Sequence, residues 1–349
     1  MKKNSFTPIS KIGEFELIKK ITNNITSYQK TTKLGVGDDA AIVSFSKNKN
    51  LLVSTDMLVE GIHFDCTYTP LKHLGYKSIV VNVSDICAMN ALPTQATVSI
   101  AIPNKFSVEM IQEIYEGIKL ACKNYLVDLV GGDTTATEGP LVISVNILGE
   151  SLGSKLSLRN GAKNNDVVIV TGSLGAAYLG LQILEREKLV FKDNIEVQPD
   201  LNSYKYILER QLKPEARVDV IKNLKSLKVI PTSMIDISDG LLSELEHISK
   251  SSNLGIKIFI DKIPFAKETR KTAEELNTDL LVSALFGGED YELLFTVSLT
   301  DFEKIKNNPI YSPIGHVSKI VTGVNLYDSG GKSVEINHNS WTAFQKENI

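Results

Sequence analysis

Apolar runs of strand length and stretches of helical periodicity interleave along both halves of this sequence, and the pattern changes between them, over residues 150–165. That stretch is polar and rich in Gly, Ser and Lys, which suits a crossing between units better than the interior of an element. Alternation of this kind builds sheets covered by helices. At 349 residues the chain is long for one core and suits two. The reading is an α/β protein of α+β type, with an N-terminal domain over residues 1–150 and a C-terminal α/β domain over 151–349.

Apolar positions at helical spacing (Phe15, Leu17, Ile18, Ile21, Ile25) predict a helix within 9–30. Strands are expected over 40–45 and 51–55, the second ending at Asp56. Residues 71–91 read as a helix, although 79–83 would also suit a strand. A strand over 98–102, an amphipathic helix over 108–125 and strands over 126–130 and 141–149 complete this half. In the second half, strands are expected over 167–171, 233–237, 256–260, 293–297 and near Ile314. Helices are expected over 173–187, 215–227 and 240–251, and residues 188–215 read as irregular.

The formal net charge is −3. No basic field marks a nucleic-acid or anionic-membrane partner. Cys66, Cys87 and Cys122 are too few and too scattered for a disulfide framework or a zinc site, and each reads as a small buried hydrophobe. The opening MKKNSFTPIS is followed by no apolar stretch, unlike a secretory signal, and no apolar run is long enough to span a bilayer. A cytoplasmic protein is the expectation.

Aspartates gather beside small residues: Gly35-Val36-Gly37-Asp38-Asp39, Ser54-Thr55-Asp56, Asn82-Val83-Ser84-Asp85, Gly131-Gly132-Asp133, Asp236-Ile237-Ser238-Asp239-Gly240 and Gly287-Gly288-Glu289-Asp290. Small neighbours allow close approach of backbone or ligand. Gathered carboxylates repel one another and need cations, and their oxygens suit hard ions such as magnesium. A carboxylate about 4 Å from a phosphate charge is repelled by roughly 4 kcal/mol at an effective dielectric near 20. A divalent ion between them reverses that sign, so an acidic chain can hold a polyphosphate through metal bridges. Each cluster alone also suits a turn or a helix cap, and Ser238-Asp239 would start the helix over 240–251. Their recurrence at expected element ends is harder to explain that way.

Other motifs are ambiguous or misleading. Residues 35–40, GVGDDA, match a dinucleotide fingerprint with Ala in the third glycine's place, and Asp56 stands at a plausible ribose distance. No apolar strand precedes Gly35, a strand rather than a helix follows, and two aspartates would face the pyrophosphate. Gly330-Gly331-Lys332-Ser333 has the ending of a phosphate loop without its earlier glycine and reads as a hairpin turn. His63 is a packing residue or a contact to phosphate or ring. Arg159 is either solvated or a phosphate fork. Trp341 is either core or a platform for a ring.

In order along the chain, GEFELI (13–18), GVGDDAAIV (35–43), STDMLVEGIHF (54–64), NVSDICAMNALP (82–93), GGDTT (131–135), RNGAKNNDVVIVTGSLG (159–175), IDISDGLLSELEHI (235–248) and GGEDYELLF (287–295) resemble the thiamine-monophosphate kinases. That family is grouped with aminoimidazole ribonucleotide synthetase and selenophosphate synthetase. The resemblance implies a two-domain aminoimidazole ribonucleotide synthetase-like fold whose N-terminal sheet forms a barrel across a homodimer. It implies ATP-dependent phosphorylation of thiamine monophosphate to thiamine diphosphate, the last step in making that cofactor, by direct in-line transfer and with no covalent nucleophile. It also implies several Mg2+ ions and leaves room for a monovalent cation. By this likeness Asp39, Ser54, Thr55, Asp56, Asp85, Asp133, Asp236 and Asp239 hold metal. Gly132, Asp133, Arg159 and Ser238 contact ATP, while His63, Glu289 and Trp341, or Phe344 in its place, contact the acceptor. Asn164-Asn165-Asp166 replaces the family's usual Pro-Gly-Asp turn, and the loop after GGD is longer than common. Two other readings stay open: the same fold acting on a related carbonyl or amide substrate, and a nucleotide-binding protein without catalysis.

Overall fold

The structure, a computed structural model, describes residues 31–34, 38–46, 49–152, 156–193 and 201–334. The helix expected within 9–30, the 35–37 glycine turn, Trp341 and Phe344 lie outside those residues.

The first half forms a six-stranded sheet in the order β1-β2-β3-β6-β4-β5. Its strands are β1 (Thr32–Leu34), β2 (Ala41–Ser46), β3 (Lys49–Val59), β4 (Leu92–Pro103), β5 (Asp128–Thr137) and β6 (Val142–Leu152). β3 and β6 pair antiparallel from Lys49↔Leu152 to Val59↔Val142. Alternation along β3 turns Leu52, Ser54 and Leu58 inward and leaves Met57 exposed. Two corrections to the expected strands follow. β3 runs past Asp56 to Val59, and β5 carries the Gly131-Gly132-Asp133 cluster in its middle. Pairing with β6 and β4 extends both strands beyond what local composition supports. β1 and β2 pair antiparallel, and residues 38–40 lead into strand β2, not into a helix as a dinucleotide site would.

Helices α1 (Leu71–Ala88) and α2 (Val108–Tyr125) pack on the inward face. α1 is buried on nearly every side, polar residues Lys77, Asn82 and Ser84 included, which removes the amphipathic period and explains why its middle also reads as a strand. α2 is amphipathic and starts at Ser107, whose hydroxyl accepts from the Met110 N–H at 3.3 Å. The two helices meet backbone to backbone: a Cβ on Gly75 would run into the Ile114 carbonyl, and one on Gly117 into the Lys72 carbonyl. Ala gains about 1 kcal/mol over Gly in helix propensity, yet forcing these helices apart costs about 3 kcal/mol. Gly117→Ala is therefore expected to destabilise the fold by about 2 kcal/mol, read in urea unfolding as a lower midpoint with an unchanged m-value.

The second half forms a seven-stranded sheet in the order β13-β12-β9-β11-β7-β10-β8. Its strands are β7 (Val167–Thr171), β8 (Ser233–Asp236), β9 (Gly255–Phe259), β10 (Leu293–Val297), β11 (Tyr311–Ser318), β12 (Val324–Tyr327) and β13 (Ser333–Val334). Its helices are α3 (Ala176–Asp193), α4 (Lys205–Leu212), α5 (Val218–Ser226), α6 (Leu241–Ser252), α7 (Lys267–Glu275), α8 (Leu280–Phe286) and α9 (Leu299–Ile305). The stretch expected to be irregular holds the end of α3 and all of α4, because Ile207 and Leu208 of α4 pack on apolar residues of α3. The Gly330-Gly331 segment turns between β12 and β13, with Gly331 N–H donating to the Asp328 carbonyl at 3.0 Å, as the hairpin reading requires. One apolar cluster runs through both halves, joining Leu52, Ile79 and Ile114 to Ile221, Met234 and Phe295. Among the described residues no helix is long and apolar enough to cross a membrane.

Candidate active site

α1 is the spine of the site. Asn82 accepts the Asp56 N–H at 3.0 Å, Asp85 accepts from the Ser54 hydroxyl, and Ser84 donates to Asp236 at 2.6 Å. Successive residues of one buried helix thus tie β3 of the first sheet to the end of β8 in the second. Asp39, Asp85 and Asp236 bring carboxylate oxygens within 4.8 Å of one another. Arg159 grips Asp39 in a fork, Nε to Oδ2 at 2.9 Å and Nη2 to Oδ1 at 2.7 Å, and its own N–H donates to Asp38 at 3.1 Å. Of its two sequence readings, the solvated arginine is therefore excluded.

Electrostatics at this cluster are unfavourable to charge. Burial, then the charges of Asp56, Asp236 and Asp39, push Asp85 well above the usual carboxylate range. Burial and Asp39 push Asp236 up to about 7, and burial and Asp39 likewise take Asp38 to about 7. Asp56 is raised chiefly by burial. One guanidinium against several half-buried or buried carboxylates leaves an excess of negative charge, and the donors are all hard oxygens. That is the chemistry of a divalent-cation site.

Opposite the cluster, two loops clasp each other. The Glu289 N–H donates to the Ser238 carbonyl at 2.7 Å and the Tyr291 N–H to the Ile237 carbonyl at 2.9 Å. Gly288, at φ +67°, lies so close that a Cβ there would strike the Ser238 carbonyl, and Glu289 itself sits at φ +56°. Backbone held in that region by its surroundings is typical of functional loops. Ser238 and Asp239 do not cap α6: its N-cap is Gly240, with no side-chain cap bond among the described residues. The Glu289 carboxylate accepts from Lys77 at 2.8 Å and from Gln211 at 2.8 Å. His63 Nδ1 accepts from the Val59 N–H at 3.1 Å, within the turn that follows β3. The Thr55 hydroxyl donates to the Val145 carbonyl at 2.9 Å.

Gly132 and Asp133 stand apart from this assembly. Register across the sheet aligns Asp133 with Ser99, Ser144 and Met57, the face away from the helices, whereas Asp56 lies one row over. Across the spacing of the intervening strands, Asp133 is roughly 14 Å from β3. β5 is exposed along nearly all its length, with Val130 61% accessible, and its outer edge has no strand partner among the described residues. Gly132 also has a packing reason to be glycine, since a Cβ would strike the Val98 carbonyl of β4.

Lys77 and Gln211 are site residues that the sequence reading passed over, and Asn82 and Ser84 were read only as neighbours of Asp85. Lys77 left a trace of its own, a single charge inside an otherwise apolar helical stretch, LGYKSIVV. A cleft of about 760 Å³ bordered by Leu92, Tyr125, Val218, Lys222 and Lys225 lies elsewhere and holds none of the clustered aspartates.

A two-sheet fold with a carboxylate cluster at the joint defines a class, and family models agree: residues 37–151 match the N-terminal domain of AIR synthase related proteins and residues 163–301 the C-terminal domain. The chain is 39% identical to the thiamine-monophosphate kinase of Buchnera aphidicola subsp. Schizaphis graminum, over 92% of this chain and 96% of that one. It is 37% identical to that of Bacillus subtilis, over 84% and 86%. Among solved structures, AaThiL complexed with AMPPCP and TMP superposes with a TM-score of 0.81 at 33% identity, covering 97% of this chain and 99% of that chain. This chain belongs to the thiamine-monophosphate kinase family.

Proposed function

We propose that this protein transfers the γ-phosphoryl group of ATP to the phosphate of thiamine monophosphate, giving thiamine diphosphate and ADP. The observation that carries the reading is the crowding of Asp39, Asp85 and Asp236 at the joint of the two sheets, in a chain whose relatives are named for this reaction. Asp39, Asp85 and Asp236 would hold Mg2+, with Asp56, Asp239 and the Ser54 and Thr55 oxygens beside them. Bound there, the ions neutralise charge on the phosphates and make the approach of two anions favourable. The acceptor phosphate is already a nucleophile, so no side chain need attack or act as a strong base, and alignment is the main task left to the protein. Arg159, whose Nε and Nη2 hold Asp39, would reach an ATP phosphate oxygen with its remaining guanidinium donors, beside Ser238. His63, Glu289 and an aromatic residue of the C-terminal segment, Trp341 or Phe344, receive the acceptor.

Gly132 and Asp133 join the ATP site, in this reading, from a second copy of the chain. The outer edge of β5, without a strand partner among the described residues, and the open face bearing Met57, Ser99 and Asp133 support a homodimer whose N-terminal sheets close a barrel, since unpaired edges invite pairing. The division at residue 150, with ATP, metal and dimer contacts in the N-terminal part, belongs to the same reading, as does a cytoplasmic location. A monovalent cation is compatible with it.

The test is incubation with ATP, Mg2+ and thiamine monophosphate followed by separation of products. Thiamine diphosphate and ADP are expected in equal amounts, and none after chelation. ADP without thiamine diphosphate would point instead to a carbonyl or amide acceptor.

A further inference from the structure

Lys77 is a buried cation: its side chain is 4% accessible, that of Glu289 27%, and Nζ lies 2.8 Å from Oε1 and 2.8 Å from Oε2. Gln211, from α4, donates to the same Oε2 at 2.8 Å, and its carbonyl faces Lys77 Nζ at 3.5 Å. The backbone of Glu289 is separately held by its N–H on Ser238. A carboxylate in a loop is thereby gripped from two helices and from its own main chain.

Lys77 and Ser84 are seven residues apart on α1 and share a face after two turns, about 10 Å along the axis. Lys77 holds Glu289 and Ser84 holds Asp236 at 2.6 Å, so one rigid helix sets the interval between Glu289 and the carboxylate cluster. An acceptor with a phosphate at one end and a cationic, amine-bearing ring system at the other needs such an interval.

We propose that Lys77, assisted by Gln211, is a positioning residue that holds the Glu289 carboxylate at a set distance from the Asp85–Asp236 cluster and so determines affinity for the ring end of the phosphate acceptor. This rests on the reading of Glu289 as an acceptor contact. Lys77 Nζ is committed to the Glu289 carboxylate and faces the Gln211 carbonyl, so its effect on the acceptor runs through Glu289. Without Lys77, Glu289 keeps the Gln211 bond and its own N–H bond to Ser238 but loses the cation that fixes both carboxylate oxygens.

The experiment compares Lys77→Met, Lys77→Arg, Gln211→Ala, Glu289→Ala and the Lys77→Met/Glu289→Ala double variant in the full chain, measuring KM for thiamine monophosphate, KM for ATP and kcat. Lys77→Met is expected to raise acceptor KM about tenfold or more, the scale of a charge-assisted hydrogen bond, with ATP KM within about twofold. Lys77→Arg is expected to restore most of the loss, and Gln211→Ala to raise acceptor KM about threefold. The double variant should be no worse than Glu289→Ala alone, as for groups acting through one another. Equal changes in both KM values, a loss confined to kcat, or additive effects in the double variant would each overturn the proposal. If Lys77→Met does not fold, Lys77→Arg and Gln211→Ala decide it by the same KM split. An unchanged acceptor KM in Glu289→Ala defeats the underlying reading of Glu289, whereas a raised one there with Lys77→Met unaffected defeats this inference alone.

Discussion

Asp85→Asn is expected to yield a protein that has lost turnover about a thousandfold, roughly 4 kcal/mol of transition-state stabilisation, and that melts higher than the parent without metal. Both results come from one feature. Asp85 is surrounded by Asp56, Asp236 and Asp39, and its charge is disfavoured first by burial and then by those neighbours. The Asn oxygen still accepts from the Ser54 hydroxyl that Asp85 binds, so shape and hydrogen bonding persist while one repelling charge disappears. A stability gain with a loss of function is the pattern of a site kept under strain for its chemistry. Steady-state kinetics and a thermal melt in chelator check the two halves. Retained turnover would contradict the proposed role of Asp85 as a metal ligand, and a lower melting temperature would contradict the electrostatic account.

The metal-free protein is expected to become more stable as pH falls from about 7 to about 4, contrary to ordinary acid denaturation. Asp236 and Asp38 each have a folded value near 7 against an ordinary value of 3.8. Between those limits the folded state binds protons that the unfolded chain does not, so stability declines as pH rises through the window and is lowest above 7. Burial holds His73, His247 and His316 below the ordinary histidine value of 6.5, which opposes the trend as pH falls past that value without the large displacement of Asp236 and Asp38. Asp65 also acts in the opposite sense, but with a folded value near 2, set against burial by its bonds to Lys188 and Thr67, its contribution is lost only below about 4. Saturating Mg2+ should raise the melting temperature most at pH 8 and flatten the trend, because an ion bound only to the folded carboxylates stabilises by mass action. Melting curves across pH 4–8 with and without Mg2+ test this. A melt that falls steadily with acid in the absence of metal would show that the cluster is not charged and crowded as described.

Much of the site was legible because its chemistry is local. Asp39, Asp85 and Asp236 stand in short motifs beside small residues, and those spacings survive whatever the chain does between them. What was not legible had non-local causes. Asp56 and Asp133 read as strand ends, yet β3 and β5 run through them because neighbouring strands extend the pairing. Ser238 and Asp239 read as a helix cap, yet that segment is committed to the loop of Gly288 and Glu289. α4 was missed because its amphipathic face is short and is stabilised by α3, and Lys77 because nothing beside it in sequence says which carboxylate it meets.

By itself the sequence determined the alternation of strands and helices in both halves, the family to which the chain belongs and the identity of the acidic groups. Each of these depends on residues near one another along the chain. Only the tertiary structure decided which carboxylates share one space, that Arg159 grips Asp39, that Lys77 reaches Glu289 across 212 residues and that Asp133 lies far from Asp56 within the chain. Those relations depend on strand register and on a buried helix packed between two sheets. Their energies come from contacts whose partners are distant in sequence, and local pattern carries no record of them.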